Sequence, residues 1–191
     1  MDKNYWHNRW EQGETKWDIG YISTPLKNFF DQLTNKEQKI LIPGCGSGYE
    51  GEYLWRKGFT NVYQLDISEI PLQKFHQRVP EFPKEQLLAT DFFALDGPFD
   101  LVIEQTFFCA LHPDLRKNYA SHMFSILADG GKICGLMFNF PLTENGPPFG
   151  GSKDEYETLF SPFFKIHRME QAEDSIEPRA GNEFFVELQK I

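Results

Sequence analysis

The first chemistry offered by the chain lies in Pro43-Gly44-Cys45-Gly46-Ser47-Gly48, a G-x-G-x-G spacing directly after the apolar run Lys39-Ile40-Leu41-Ile42. Glycines so placed let the backbone turn sharply and approach a ligand with no Cβ in the way, while the next helix presents free amides. The same spacing also serves a turn that merely joins a strand to a helix. Gly46-x-Gly48-x-x-Gly51 satisfies a dinucleotide fingerprint too, but its third glycine falls inside the helix expected over residues 49–57. Asp66 follows Gly44 by 22 positions, close to the ~20 at which a carboxylate meets a ribose diol. The plainer alternative is a capping or turn Asp. In Thr90-Asp91-Phe92, Asp91 can accept from the exocyclic amine of an adenine and Phe92 pack on its ring. A surface Asp beside a core Phe explains the same residues.

Other chemistries find little footing. The sequence has no G-x-S-x-G elbow and no H-E-x-x-H, and its five His, at 7, 76, 112, 122 and 167, are scattered, so no metal is expected. His112, before Pro113, reads as a helix start with a minor proton-acceptor role left open. Nineteen Lys+Arg against 28 Asp+Glu give a net charge of -9, and no basic run exceeds two residues. Such a surface repels phosphate backbones and anionic lipid, so the expected partner is a small molecule, with no nucleic acid and no membrane. Three Cys, at 45, 109 and 134, form no Cys-x-x-Cys pair; an odd count without a signal-like N-terminus points to the cytoplasm. The oligomeric state is left open.

These residues need elements to hold them. Strands are expected over residues 39–43, 61–66, 86–89, 99–103 and 132–138, with helices at 49–57 and from Ser68 to about Val79. A further helix opens at Pro113-Asp114, carries Leu115, Tyr119, Met123, Ile126 and Leu127 on one stripe, and ends at Asp129-Gly130-Gly131. Ser152 and Glu155 form a capping box for a helix through about Phe160. Residues 163–169 and 183–189 then read as an antiparallel hairpin. Strand and helix alternation implies an α/β fold: a doubly wound, mostly parallel seven-stranded sheet with helices on both faces, closed by that hairpin. Ligands of such sheets bind beyond the carboxyl ends of the strands, here the loops after Ile42, Leu65, Ala89 and Ile103. No linker or repeat divides residues 1–191, which read as one domain.

At this point the chain resembles class I S-adenosylmethionine-dependent methyltransferases, and among them the thiopurine methyltransferase family with its thiol, thiocyanate and halide methyltransferases. The resemblance rests on Trp6-x-x-x-Trp10-x-x-Gly13-x-Thr15-x-Trp17-Asp18-x-Gly20, Pro25-Leu26 and the glycine loop. It continues through Phe107-Phe108-Cys109-Ala110-Leu111-x-Pro113-x-x-Arg116-x-x-Tyr119-Ala120 and Gly146-Pro147-Pro148-Phe149. It implies a Rossmann-like methyltransferase using S-adenosyl-L-methionine and releasing S-adenosyl-L-homocysteine. By the same resemblance Gly44 lines the methionine part, Gly46 binds the cofactor beside it, Asp66 holds the ribose, Asp91 and Phe92 flank the adenine, and Glu104 and Gln105, after the fourth strand, line the cofactor side. Residues 1–24 become an aromatic arm whose Trp6, Trp10 and Trp17 cover the sulfonium, as cation–π attraction favours. Without the family, an apolar stripe docking a terminal segment accounts for the same tryptophans; their offsets fit one helical stripe, but Gly13 argues against a continuous helix.

No catalytic residue stands out. Phe107, Phe108, Phe138, Pro147 and Phe149 are candidates for an acceptor pocket. Arg116 is a candidate for drawing in an anion, or else an exposed helix-surface Arg. Met137-Phe138-Asn139 stands where halide and thiocyanate members commonly carry Met-Tyr-Pro, and Gln105 where they often carry Tyr; both departures fall in the acceptor pocket. The expected reaction moves a methyl group to a small nucleophile, a thiol, thiocyanate, bisulfide or halide. A nicotinamide-dependent oxidoreductase and a non-catalytic S-adenosylmethionine-binding module are the alternatives.

Overall fold

Short apolar runs that end in glycine or in a carboxylate become buried strands, and their carboxyl ends gather the residues singled out above. The computed structural model describes residues 2–191, which divide into two units, one up to Leu95 and the other Asp96–Ile191.

In the first unit β1 (Ile40–Pro43) is buried at every position, and β2 (Val62–Asp66) and β3 (Leu87–Ala89) follow. All three run parallel in the order β3-β2-β1, with Ile40 opposite Val62 and Gln64 opposite Leu87. Around them lie α1 (Lys3–Gln12), α2 (Thr24–Gln32), α3 (Tyr49–Arg56) and α4 (Glu69–Arg78). Leu26, Phe30, Leu54, Phe59, Phe75 and Phe82 fill this core. Ser68 caps α4 by accepting from Ile70 N–H, and Gly58, with φ +85°, follows α3 as expected of a left-handed terminator.

The second unit holds β4 (Phe99–Gln105), α5 (Arg116–Ile126), β5 (Leu127–Phe138), α6 (Lys153–Phe160), β6 (Phe164–Gln171) and β7 (Glu183–Lys190). β4 and β5 pair in parallel, whereas β7 pairs antiparallel with β5 on one side and β6 on the other. The closing hairpin is therefore present, and its second strand is the inner one. Counted together, the seven strands are the mixed, mostly parallel set that the sequence implies.

Several boundaries differ from expectation. β4 continues through Glu104 and Gln105, which end the strand rather than follow it. α5 stops at Ile126, and β5 begins at Leu127 rather than Lys132, because Leu127 pairs with Phe99 before the register shifts and Lys132 resumes opposite Leu101. Asp129-Gly130-Gly131 is thus a bulge within a strand, not a helix end. Pro113–Leu115 is a 3₁₀ turn ahead of α5. Only half of the capping box forms: Glu155 N–H donates to Ser152 Oγ (3.3 Å), but the Glu155 carboxylate pairs with Arg116. α1 and α2 are additions; α1 ends where Gly13 takes φ +69°.

Gln64 is the anomaly of the first core. It is fully buried on β2 with neither amide atom hydrogen-bonded among the described residues, and a Cβ added to Gly48 or Gly51 would strike its side chain. Those glycines let α3 lie close to β2, but they leave the amide no donor or acceptor. A buried amide without partners costs ~1–3 kcal/mol. Gln64→Met, similar in length and unbranched, should raise the unfolding free energy by about that amount in urea denaturation. A loss of stability would mean that the amide has partners in solution.

Candidate functional site

Two groups of functional side chains form, one in each unit. In the first, the glycine loop after β1 is held by Cys45 N–H donating to Leu65 C=O (2.9 Å) and Gly48 N–H to Cys45 C=O (2.9 Å). Gly44, Gly46 and Gly48 adopt φ of +58°, +51° and +74°, a region that a side chain disfavours. The loop presents Gly46 N–H to Asp66 Oδ2 at 3.2 Å, and Ser68 N–H donates to Asp66 Oδ1 at 2.9 Å. Asp66 is only 7% exposed. Burial pushes its carboxyl up to about 6, against the opposing pull of the Ser68, Gly46 and Ile67 amides. Above that pH it is an acceptor only; as pH falls through about 6 it takes up a proton, and with it loses its charge and part of its accepting capacity.

The aromatic arm converges on this loop. Asp2 caps α1 by accepting from Tyr5 N–H (2.9 Å), and Trp17, beyond Gly13, meets Trp6 and Trp10 edge-on at 5.5 and 5.9 Å between ring centroids. The three tryptophans therefore meet without one continuous helix. Trp10 is buried, and a Cβ added to Gly46 would lie 3.5 Å from its ring. Asp18 fastens the arm: its carboxylate accepts from Ser47 Oγ, from Tyr49 OH (3.4 Å) and from Gly20 N–H (2.7 Å). Sequence reading assigned Asp18 no role, although it stands in the Trp17-Asp18 pair of the motif; two of its partners, Ser47 and Tyr49, lie 29 and 31 positions away. Asp91 is exposed and accepts from Phe93 N–H (2.9 Å), capping the 3₁₀ turn Phe92–Ala94, while Phe92 is buried.

The second group lies where β4 and β5 end and β7 begins. Glu104 is fully buried; its Oε1 accepts from Phe107 and Phe108 N–H, each at 2.8 Å, and its Oε2 from Tyr119 OH at 2.6 Å. Burial lifts its carboxyl to about 7 despite those three donors. Glu104, Thr106, Cys109, Leu136, Met137, Phe138 and Glu183 line a small pocket of at most about 190 Å³, open solvent included. Glu183 was not singled out from sequence: it reads only as the first residue of a terminal strand. It stands opposite Phe138, accepts from Ser175 Oγ (2.7 Å), and lies 3.5 Å from Arg179 Nη1. Burial raises its carboxyl as well.

Of the expected acceptor-pocket residues, Phe138 lines this pocket. Phe108 is buried among Tyr119, Tyr156 and Phe160. Phe107 and Pro147 are half-buried, and Phe149 is buried with its N–H donating to Cys109 C=O (2.8 Å). Arg116 is not an exposed helix-surface residue: it is 4% exposed, pairs with Glu155, donates to Gly150 C=O (2.6 Å) and stacks its guanidinium 4.8 Å from the Phe108 ring centroid. It ties α5 to α6 and to the loop before it. His112 accepts from Asp114 N–H (3.3 Å) at the turn start.

A glycine loop after β1, a buried carboxylate ending β2 and this order of strands define the Rossmann-like methyltransferase class. The structure aligns with magnesium protoporphyrin IX methyltransferase from Synechocystis PCC 6803, solved with bound S-adenosylhomocysteine, at a TM-score of 0.78 and 18% identity, covering 100% of both chains. The model of the thiopurine S-methyltransferase (TPMT) family matches residues 1–189, and the chain belongs to that family. It is 31% identical to probable thiol methyltransferase 2 of Arabidopsis thaliana over 93% of this chain and 81% of that one. It is 29% identical to thiocyanate methyltransferase 1 of Brassica oleracea over 100% and 87%. The chain is accordingly an S-adenosylmethionine-dependent methyltransferase. The residues present suit that group: three amides do not exhaust the roughly four acceptor positions of the Asp66 carboxylate, so room remains for a ribose hydroxyl.

The Tyr119 hydroxyl is the one side-chain donor to the buried Glu104 among the described residues. Removing a donor to a buried charged group costs ~1.5–3 kcal/mol. Tyr119→Phe should lower the unfolding free energy by that much in urea denaturation above about pH 8, where Glu104 is ionised, and by less as pH falls through about 7. An unchanged midpoint would show that the hydroxyl does not satisfy Glu104.

Proposed function

We propose that the chain moves a methyl group to a small nucleophile, a thiol, thiocyanate, bisulfide or halide. The observation that carries this reading is the thiopurine S-methyltransferase family match across residues 1–189. The thiol and thiocyanate methyltransferases among the relatives, aligned over 93% and 100% of the chain, support the same acceptor class.

When bound, S-adenosyl-L-methionine supplies an electrophilic methyl group on a sulfonium. The chain's own contribution is to hold and to dry. Asp66 takes the ribose, Gly44 lines the methionine part with Gly46 beside it, Asp91 and Phe92 flank the adenine, and Glu104 and Gln105 line the cofactor side. The joined rings of Trp6, Trp10 and Trp17 cover the sulfonium, with Trp favoured among aromatics for cation–π attraction. Phe138, with Phe107, Phe108, Pro147 and Phe149, keeps water from the acceptor, and Arg116 holds the loop that carries the last two. Fixing acceptor and methyl in line supplies up to ~7–11 kcal/mol of the barrier.

The whole of residues 1–191 acts as one methyltransferase domain, with residues 1–24 as its aromatic arm; the family match across residues 1–189 supports this. Three buried free thiols, Cys45, Cys109 and Cys134, favour a reducing, cytoplasmic setting, and the net charge of -9 disfavours nucleic-acid partners. No helix among the described residues is long and apolar enough to cross a membrane.

Product analysis tests the acceptor class. Incubated with S-adenosylmethionine and iodide, thiocyanate, bisulfide or a thiol in turn, the protein should release a methylated product from at least one, detected by headspace gas chromatography. S-adenosylhomocysteine binding with no acceptor methylated would leave a cofactor-binding module and overturn the proposal.

A further inference from the structure

The aromatic arm bears a carboxylate, Asp18, for which the cofactor reading has no task. Resting on the placement of Trp17 over the cofactor given above, we infer that Asp18 is a positioning residue: bonded to Ser47, it holds Trp17 against the glycine loop and so sets how tightly the cofactor is kept.

Trp17 stands in a non-helical stretch between two left-handed glycines, Gly13 at φ +69° and Gly20 at φ +82°. A Cβ added at either glycine would meet no atom within 4 Å, so neither end of the stretch is packed on that side. Within it, Asp18 N–H donates to Thr15 C=O (2.9 Å) and Asp18 Oδ1 accepts from Gly20 N–H (2.7 Å), which shapes the turn locally. Asp18 Oδ2 reaches out of the stretch, to Ser47 Oγ and Tyr49 OH. The first helix has its own hold on α4: Lys3 Nζ lies 3.3 Å from Glu69 Oε1, His7 Nδ1 3.4 Å from Ser68 Oγ, and Lys74 Nζ 5.5 Å from the Trp10 ring centroid. Residues 14–19 can therefore lift about the two glycines while α1 stays docked.

The glycine loop has other bonds to fix its shape. Ser47 C=O accepts from Arg78 Nη2 (2.6 Å), while Arg78 Nε donates to Glu52 Oε2 (2.8 Å) and the guanidinium lies 5.1 Å from the Tyr49 ring centroid. Cys45 and Gly48 add the two backbone bonds already described. The Ser47 backbone is thus held by α3 and α4, and its hydroxyl turns to the arm. What the Asp18–Ser47 bond adds is the docking of Trp17.

A ligand that needs Trp17 docked has an apparent affinity scaled by the fraction of protein in which Trp17 is docked. Hydrogen bonds to an ionised carboxylate are stronger than neutral ones, and losing one shifts such an equilibrium by roughly 10-fold or more. Neither Asp18 nor Ser47 has to touch the cofactor for this effect. The two act through one bond, so removing either end should do the same damage as removing both.

The test is calorimetric titration of the full chain with S-adenosylhomocysteine, on wild type, Asp18→Ala, Ser47→Ala, the double variant and Trp17→Ala. Asp18→Ala and Ser47→Ala should each weaken binding by roughly 10-fold or more at unchanged stoichiometry, and the double variant no further than the weaker single one. Unchanged affinity with a reduced binding fraction in Asp18→Ala marks a role in folding alone and overturns the inference. Losses that add in the double variant overturn it too, because the two side chains then act separately. In either case a weakened Trp17→Ala leaves the aromatic-arm reading standing, whereas wild-type affinity in Trp17→Ala overturns that reading and the inference with it. Should Asp18→Ala fail to fold, Ser47→Ala decides, since it removes the same bond from the other end: wild-type affinity there overturns the inference.

Discussion

A carboxylate taken out of water must be met by donors or lose its charge, and the functional geometry of this chain is arranged around that requirement. Asp66 is met by amides that exist only because the glycine loop after β1 turns back with left-handed residues and because the chain turns into α4 at Ser68. Glu104 is met by the turn after β4 and by Tyr119 of α5. Glu183 is met by Ser175 and Arg179 from the segment between β6 and β7. Each carboxylate sits at a strand end and recruits the neighbouring loop, so loop conformation follows from the need to solvate charge internally. The ionised form stays costly in all three, and each carboxyl is raised by burial.

The aromatic residues supply the dryness that makes those carboxylates matter. Nineteen Phe, seven Tyr and four Trp are more than two small cores need. In the second unit Phe108 packs edge-on or tilted on Tyr119, Tyr156 and Phe160, Arg116 lies over Phe108 and Tyr156, and Tyr119 reaches Glu104. In the first, Trp6, Trp10 and Trp17 pack on one another near Gly46. Asp18 joins that arm to Ser47 and Tyr49, so the arm and the glycine loop share one polar anchor.

Much of this was legible in the sequence where the signal is local. The glycine spacing, the carboxylate after the second strand, the Ser68 cap and the two terminal strands depend on neighbours a few residues away. Where partners are distant, the sequence was silent. α1 is a mostly polar helix with Trp10 as its one buried residue; the offset of Trp6 and Trp10 fits a helical stripe, but its cap, Asp2, and the return of Trp17 beyond Gly13 depend on the folded chain. β5 begins early because Leu127 pairs with Phe99, a long-range hydrogen-bond choice that the helix-breaking Asp129-Gly130-Gly131 conceals. Arg116 lies on what looks like a polar helix face, but α6 and Gly150 cover it. Glu183 gives no local sign at all: its meaning comes from standing opposite Phe138 beside the end of β4.

The account turns on Asp66 as the acceptor for the cofactor's ribose. Calorimetry with S-adenosylhomocysteine and its 2′,3′-dideoxy analogue, on wild type and on Asp66→Asn, isolates that bond from every other contact of the ligand. Hydrogen bonds to a buried charge of ~1.5–3 kcal/mol correspond to a loss of roughly 10- to 150-fold. The prediction is a loss of that size for the dideoxy analogue on wild type and little further loss on Asp66→Asn. Equal affinity of wild type for both ligands would contradict it.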